Sequence, residues 1–119
     1  MGYILHVAVI AAYPSLQDAK LGEPWQRHRT EADAKLAGFL KSLPEDWRRL
    51  VVGPVEALIN GEAWLTFLPD GSKEGWDLSK EGMEYRIRFQ ELFGGLIVRW
   101  GDEDPTVSRE PESAEYGLA

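Results

Sequence analysis

The chain has 119 residues, 44% of them apolar and 28% charged, with 5 Trp, 4 Tyr and 4 Phe, which suits one domain that buries its own core. It holds no Cys, so disulfides, thiolate nucleophiles and Cys-ligated zinc are excluded. The formal charge of −7 is uneven: residues 101–119 hold six acids against Arg109, net −5, leaving −2 for a body without a basic stripe, which argues against nucleic acid as a ligand.

Tyr3–Tyr13 is apolar almost throughout and rich in β-branched residues, as befits a central strand covered on both faces. Its apolar part, Ile4–Tyr13, is too short to span a bilayer, carries His6 and lacks the basic start of a signal peptide. No membrane is expected, and the expected compartment is the cytoplasm. Pro14 and Ser15 end the strand, and Ser15 with Asp18 can open a short helical turn before Gly22 breaks it.

From Pro24 or Thr30 to Leu43, the residues Trp25, Ala32, Leu36, Phe39, Leu40 and Leu43 recur at three and four, which predicts an amphipathic helix stopped by Pro44. Val51–Ile59 and Glu62–Leu68 then read as strands joined by Asn60-Gly61, the pair that a two-residue type I′ hairpin turn favours. That turn would set Leu58 opposite Ala63, Ala57 opposite Trp64 and Val55 opposite Thr66. Leu58, Ala63, Leu65 and Phe67 then share one face, and Val55, Ala57, Ile59, Trp64 and Leu68 share another that is scarcely less apolar.

Pro69–Asp77 is a turn-rich loop, in which Pro-Asp-Gly makes a turn, Trp76 is expected to staple the loop to the core, and Asp77 or Ser79 caps the second long helix. That helix, over 79–93, buries Met83, Tyr85, Ile87, Phe89, Leu92 and Phe93, holds Arg86, Arg88 and Glu91 outside, and stops at Gly94-Gly95. Leu96–Trp100 is the last strand, and residues 101–119 read as a mobile acidic tail.

The order β-α-β-β-α-β predicts an α+β, ferredoxin-like sandwich over residues 1–100, with two helices on one face of a four-stranded antiparallel sheet. The other sheet face is then bare and apolar. Val55, Ala57 and Trp64 mark it as the expected dimer face, with the C-terminal tail or a partner protein as other covers.

Chemistry is sparse. His6 and His28 do not form a metal-ligand spacing, and a lone strand His is usually structural. Asp70, Glu74 and Asp77 lack the alternating oxygen ligands of an EF-hand loop, and no G-x-x-x-x-G-K-[ST], G-x-G-x-x-G or G-x-S-x-G occurs. No catalytic residue, metal site or cofactor is expected.

The string Phe67-Leu-Pro-Asp-Gly-Ser-Lys-Glu-Gly-Trp-Asp77, followed by a charged helix, resembles small uncharacterised proteins encoded by actinobacteriophages and actinobacteria, over about a quarter of the chain. The resemblance implies an accessory protein acting on a host component and carries over no catalytic residue. Ser72, Lys73, Glu74 and Trp76, which have no evident structural duty, are the expected partner-binding residues. The leading expectation is a non-enzymatic interaction or regulatory protein, homodimeric and binding a protein partner. The alternative is a small enzyme or ligand binder of the dimeric α/β-barrel kind, with Tyr3, His6, Tyr13 and Trp64 around a pocket. An acidic decoy acting through the tail is a third reading.

Overall fold

The computed structural model describes residues 5–101 and 105–108. It contains five strands, β1 (Leu5–Tyr13), β2 (Val51–Glu56), β3 (Ala63–Phe67), β4 (Leu96–Gly101) and β5 (Thr106–Ser108), and four helices, α1 (Leu16–Ala19), α2 (Trp25–Ser42), α3 (Glu45–Arg48) and α4 (Asp77–Phe93). The strands form one sheet in the order β2-β3-β1-β4-β5, and every neighbouring pair is antiparallel. The α+β class is as expected. The sheet has five strands rather than four, because Thr106–Ser108, placed by the sequence in the tail, pairs with Ile97–Arg99. The rest of that expected tail, residues 102–104 and 109–119, lies outside the described residues.

Alternation in β1 sorts the two faces. Val7, Val9, Ala11 and Tyr13 are buried toward the helices together with Ala63, Leu65 and Phe67 of β3 and Ile97 of β4. Against them α2 sets Ala32, Leu36 and Phe39, with Leu43 just past its end, and α4 sets Phe89, so both long helices cover one face. The Phe39, Phe67 and Phe89 rings meet edge to face, with centroids 5.8–6.2 Å apart, the geometry that ring quadrupoles favour.

Helix ends follow local chemistry. Ser15 Oγ accepts from the Asp18 N–H at 3.0 Å and caps α1, as the sequence suggests. Pro24, not Thr30, starts α2, and the Thr30 hydroxyl instead donates back to the Gln26 carbonyl at 2.9 Å. The short α3, which apolar periodicity does not reveal, is opened by Pro44 and exists to bury Trp47 against Tyr85, at 5.1 Å between centroids. Trp76 takes the cap position of α4 without a side-chain cap bond, so neither Asp77 nor Ser79 fills that role.

The hairpin departs from its expected register. Glu56 faces Ala63, and the Ala57 N–H donates to the Glu62 carbonyl at 2.8 Å, so four residues, 58–61, make the connection. Asn60 and Gly61 both adopt left-handed φ, +68° and +59°, but as the second half of a longer turn, and Leu58 is fully exposed instead of lying in the core face. The shift is two residues. It preserves alternation, and Val55 lies directly opposite Trp64 on the outer face.

Further along, one extra residue at Gly53-Pro54 bulges β2. Gly53 has φ +115°, and a Cβ there would sit 2.6 Å from the Trp64 carbonyl oxygen. Gly53→Ala is therefore expected to cost about 2–3 kcal/mol of unfolding free energy through backbone strain and collision, read from the urea midpoint. A midpoint equal to wild type would show that the bulge accepts a side chain. Gly95 has a similar duty: a Cβ would meet the Ile10 carbonyl oxygen at 2.6 Å, so only glycine lets the chain enter β4 beside β1.

Candidate interaction face

Twelve paired strand positions point away from the helices. They are Val52 and Val55 on β2, Trp64 and Thr66 on β3, His6, Ala8, Ile10 and Ala12 on β1, Leu96, Val98 and Trp100 on β4, and Val107 on β5. None carries a formal charge, with histidine neutral, although 28% of the chain does; about three would be expected by composition.

The face is flat at its centre and bulky at two corners. Trp64 sits opposite Ala12, at one end of β1, and Trp100 opposite His6, at the other end and on the other side. Both indoles are open to solvent, at 41% and 38%, as are Val55 at 54% and Ile10 at 39%. Five strands at about 4.8 Å, six residues deep at about 3.3 Å, give a patch of roughly 24 by 20 Å. The outer edge on β2 is blunted for strand addition by the bulge and by Pro54, which has no N–H to donate.

Beneath one end of the sheet lies a buried ion pair. Arg86 Nη2 donates to Asp70 Oδ2 at 2.7 Å, with the side chains 3% and 7% exposed, and the guanidinium lies 5.4 Å from the Phe67 ring centroid. The sequence placed Arg86 outside; the buried stripe of α4 is Gly82, Arg86, Phe89 and Gln90, and Leu92 is exposed. Gly82 makes the room, since a Cβ would come within 2.5 Å of Asp70 Oδ2 and 2.8 Å of Arg86 Nη1. Burial acts to raise the Asp70 carboxyl but is outweighed by hydrogen bonds from Ser72 and Arg86, which hold it below the usual carboxylate range. Burial lowers Arg86, with Asp70 opposing, and Arg86 Nε has no hydrogen-bond partner among the described residues.

A second polar hub ties α2 to the sheet. Arg29 Nε donates to Asp33 Oδ1 and Nη1 to Glu56 Oε2, both at 3.0 Å, while the Tyr13 hydroxyl donates to Asp33 Oδ1 at 2.7 Å. Burial, and then the bond to Asp33, push the Tyr13 hydroxyl well above the ordinary phenol value, so it stays protonated. Glu56 Oε1 also accepts the Leu16 N–H at 2.8 Å, which fixes α1 against β2.

The residues singled out in the loop separate. Ser72 is 3% exposed and its N–H donates to Asp70 Oδ1 at 2.7 Å, a structural duty that removes it from any contact surface. Lys73 is half-buried with Nζ 5.9 Å from the Trp76 ring centroid, Glu74 is exposed, and Trp76 is 50% exposed rather than stapled to the core. Of the dimer-face trio, Val55 and Trp64 face each other on the outer surface, while Ala57 lies just beyond β2, half-buried. His6 and Tyr13 point to opposite faces of β1 and cannot line one pocket; Tyr3 lies outside the described residues.

On the helix side, α2 and α4 part to leave a cleft of about 380 Å³ lined by Lys35, Gly38, Phe39, Ser42, Arg88, Glu91 and Leu92. Its hydroxyl is not poised for attack, because Ser42 Oγ donates to the Phe39 carbonyl at 2.6 Å. Among the described residues no three His, Asp or Glu side chains converge on a metal-sized site, and no helix is long and apolar enough to cross a membrane. Comparison with protein-family models, curated proteins and solved structures returns no match.

Proposed function

We propose that this is a non-enzymatic interaction protein of ferredoxin-like architecture, with β5 added at one edge, whose outer sheet face packs on a second copy. The uncharged outer face carries this reading: large, rigid Trp64 and Trp100 stand at its corners and no charge interrupts it among the described strand positions. Two such patches would bury on the order of 1,000 Å² of footprint before side-chain relief is counted, about the floor for a biological interface. A face without charge offers nothing to select an acidic or basic partner, and it complements itself. Lys73, Glu74 and Trp76, on a loop at the helix-side rim, remain free in such a dimer to meet a protein partner.

The absence of native Cys gives a direct test. Thr66→Cys places one thiol on the outer face, and Gly38→Cys places one on the opposite side of the molecule, where a Cβ meets nothing within 4 Å. A bis-maleimide is expected to join Thr66→Cys chains into a covalent pair at micromolar protein and to leave Gly38→Cys chains single. Equal yields from the two would remove the face-to-face reading.

A further inference from the structure

We propose that the cleft between α2 and α4 is a binding site for a small amphiphilic monocarboxylate, an apolar tail ending in one carboxylate. The site lies on the helix side of the molecule, away from the outer sheet face, and does not depend on the dimer.

Sequence spacing builds its walls. Lys35, Gly38 and Phe39 stand at i, i+3 and i+4 on α2, and Arg88, Glu91 and Leu92 repeat that spacing on α4, so each helix turns one stripe to a shared cleft of about 380 Å³, at the small end of ligand sites. Phe39, a core residue, gives the cleft an apolar floor. Leu92, 39% exposed, adds an apolar rim.

Gly38 points to a ligand independently. Glycine disfavours a helix interior more than any residue except proline, yet it stands inside α2 where a Cβ would meet nothing within 4 Å. No packing among the described residues requires it. Its missing side chain keeps the cleft open and lets a ligand approach the α2 backbone.

Charge selects the head group. One cation stands on each wall, Lys35 on α2 and Arg88 on α4. The Arg88 guanidinium lies 5.2 Å from the Tyr85 ring centroid and 5.9 Å from that of Phe39. Two rings thus hold its planar fork in place, which lowers the entropy lost when it takes a carboxylate through paired hydrogen bonds. Lys35 and Arg88 against Glu91 leave the lining with a net charge of +1, which one carboxylate balances and a phosphate dianion exceeds. The apolar floor and rim take the tail.

Isothermal titration calorimetry of the full chain with decanoate, below its micelle concentration, tests the site. One decanoate is expected to bind per chain, with decanol and decyl phosphate each weaker by about tenfold or more. Arg88→Gln should weaken decanoate by about tenfold. Gly38→Leu should fill the cleft and abolish binding while its thermal midpoint stays at or above the wild-type value, because leucine favours the helix. Trp64→Lys with Trp100→Lys should bind decanoate as the wild type does, whatever becomes of the dimer. No binding by the full chain, as a rival occupant such as its own acidic residues 109–119 would produce, overturns the inference. So does affinity that survives Gly38→Leu, that decanol matches, or that the two tryptophan substitutions abolish. A chain that binds decanoate in this cleft but stays single overturns the dimer alone.

Discussion

Asp70→Ala is expected to lower the unfolding free energy by about 3–5 kcal/mol, because it leaves the Arg86 guanidinium buried without its carboxylate. Arg86 is 2% exposed and already has one nitrogen without a hydrogen-bond partner among the described residues, so losing the 2.7 Å bond strips a buried cation of the anion that faces it. The Asp70→Ala, Arg86→Leu double variant should recover more than half of the loss, since an apolar pair of similar volume avoids the cost of desolvating two charges. Chemical denaturation of the four proteins of this cycle measures the coupling, and additive losses would contradict it.

The same pair sets an acid limit. The folded-state carboxyl of Asp70 lies below its unfolded value, so its contribution is complete above the ordinary carboxylate range, at about pH 5 and higher, and is lost as pH falls through and below about 4. Stability of the wild type should therefore decline more steeply below pH 4 than that of the double variant.

Trp64→Lys with Trp100→Lys is expected to abolish self-association while leaving the monomer folded. Each indole is more than a third exposed in a single chain, so its removal opens no cavity in the core formed by Phe39, Phe67 and Phe89. In the proposed dimer each would be a buried aromatic anchor, the kind of residue whose truncation costs about 2 kcal/mol or more, and each lysine would add a desolvated charge twice per dimer. The dissociation constant should rise by more than about a thousandfold, with the thermal midpoint of the dilute chain little changed. A double variant that still pairs at wild-type concentration would place the interface elsewhere.

β1, the hairpin and the end of the second long helix were legible because the β-branched apolar run of β1, the Asn-Gly signal and the Gly94-Gly95 stop are local properties of the chain. The turn length was not, since two left-handed residues serve a two-residue and a four-residue connection equally well; only the Ala57 to Glu62 hydrogen bond distinguishes them. Alternation survived because the error was two residues, and so Val55 and Trp64 were placed on the right face. Arg86 was misplaced because its partner Asp70 lies 16 residues away in a loop, and a charge on a helix ordinarily faces water. The one local hint was Gly82, a residue with no side chain one turn before it on the same stripe. β5 escaped notice because three residues between Pro105 and Arg109, in an acidic stretch, are too few to show a period.

The outer corner at Trp100 was invisible for a related reason. Val55, Ala57 and Trp64 of the hairpin suggest a bare face, but only the β1 to β4 register, with His6 opposite Trp100, extends the uncharged patch across the whole sheet. The site is thus a property of the pairing and not of any one segment. Sedimentation equilibrium of the unmodified chain at pH 8.0 tests it most directly: the sheet-face dimer requires a species of twice the 13.4 kDa chain mass at micromolar concentration, and a single 13.4 kDa species throughout that range would contradict it.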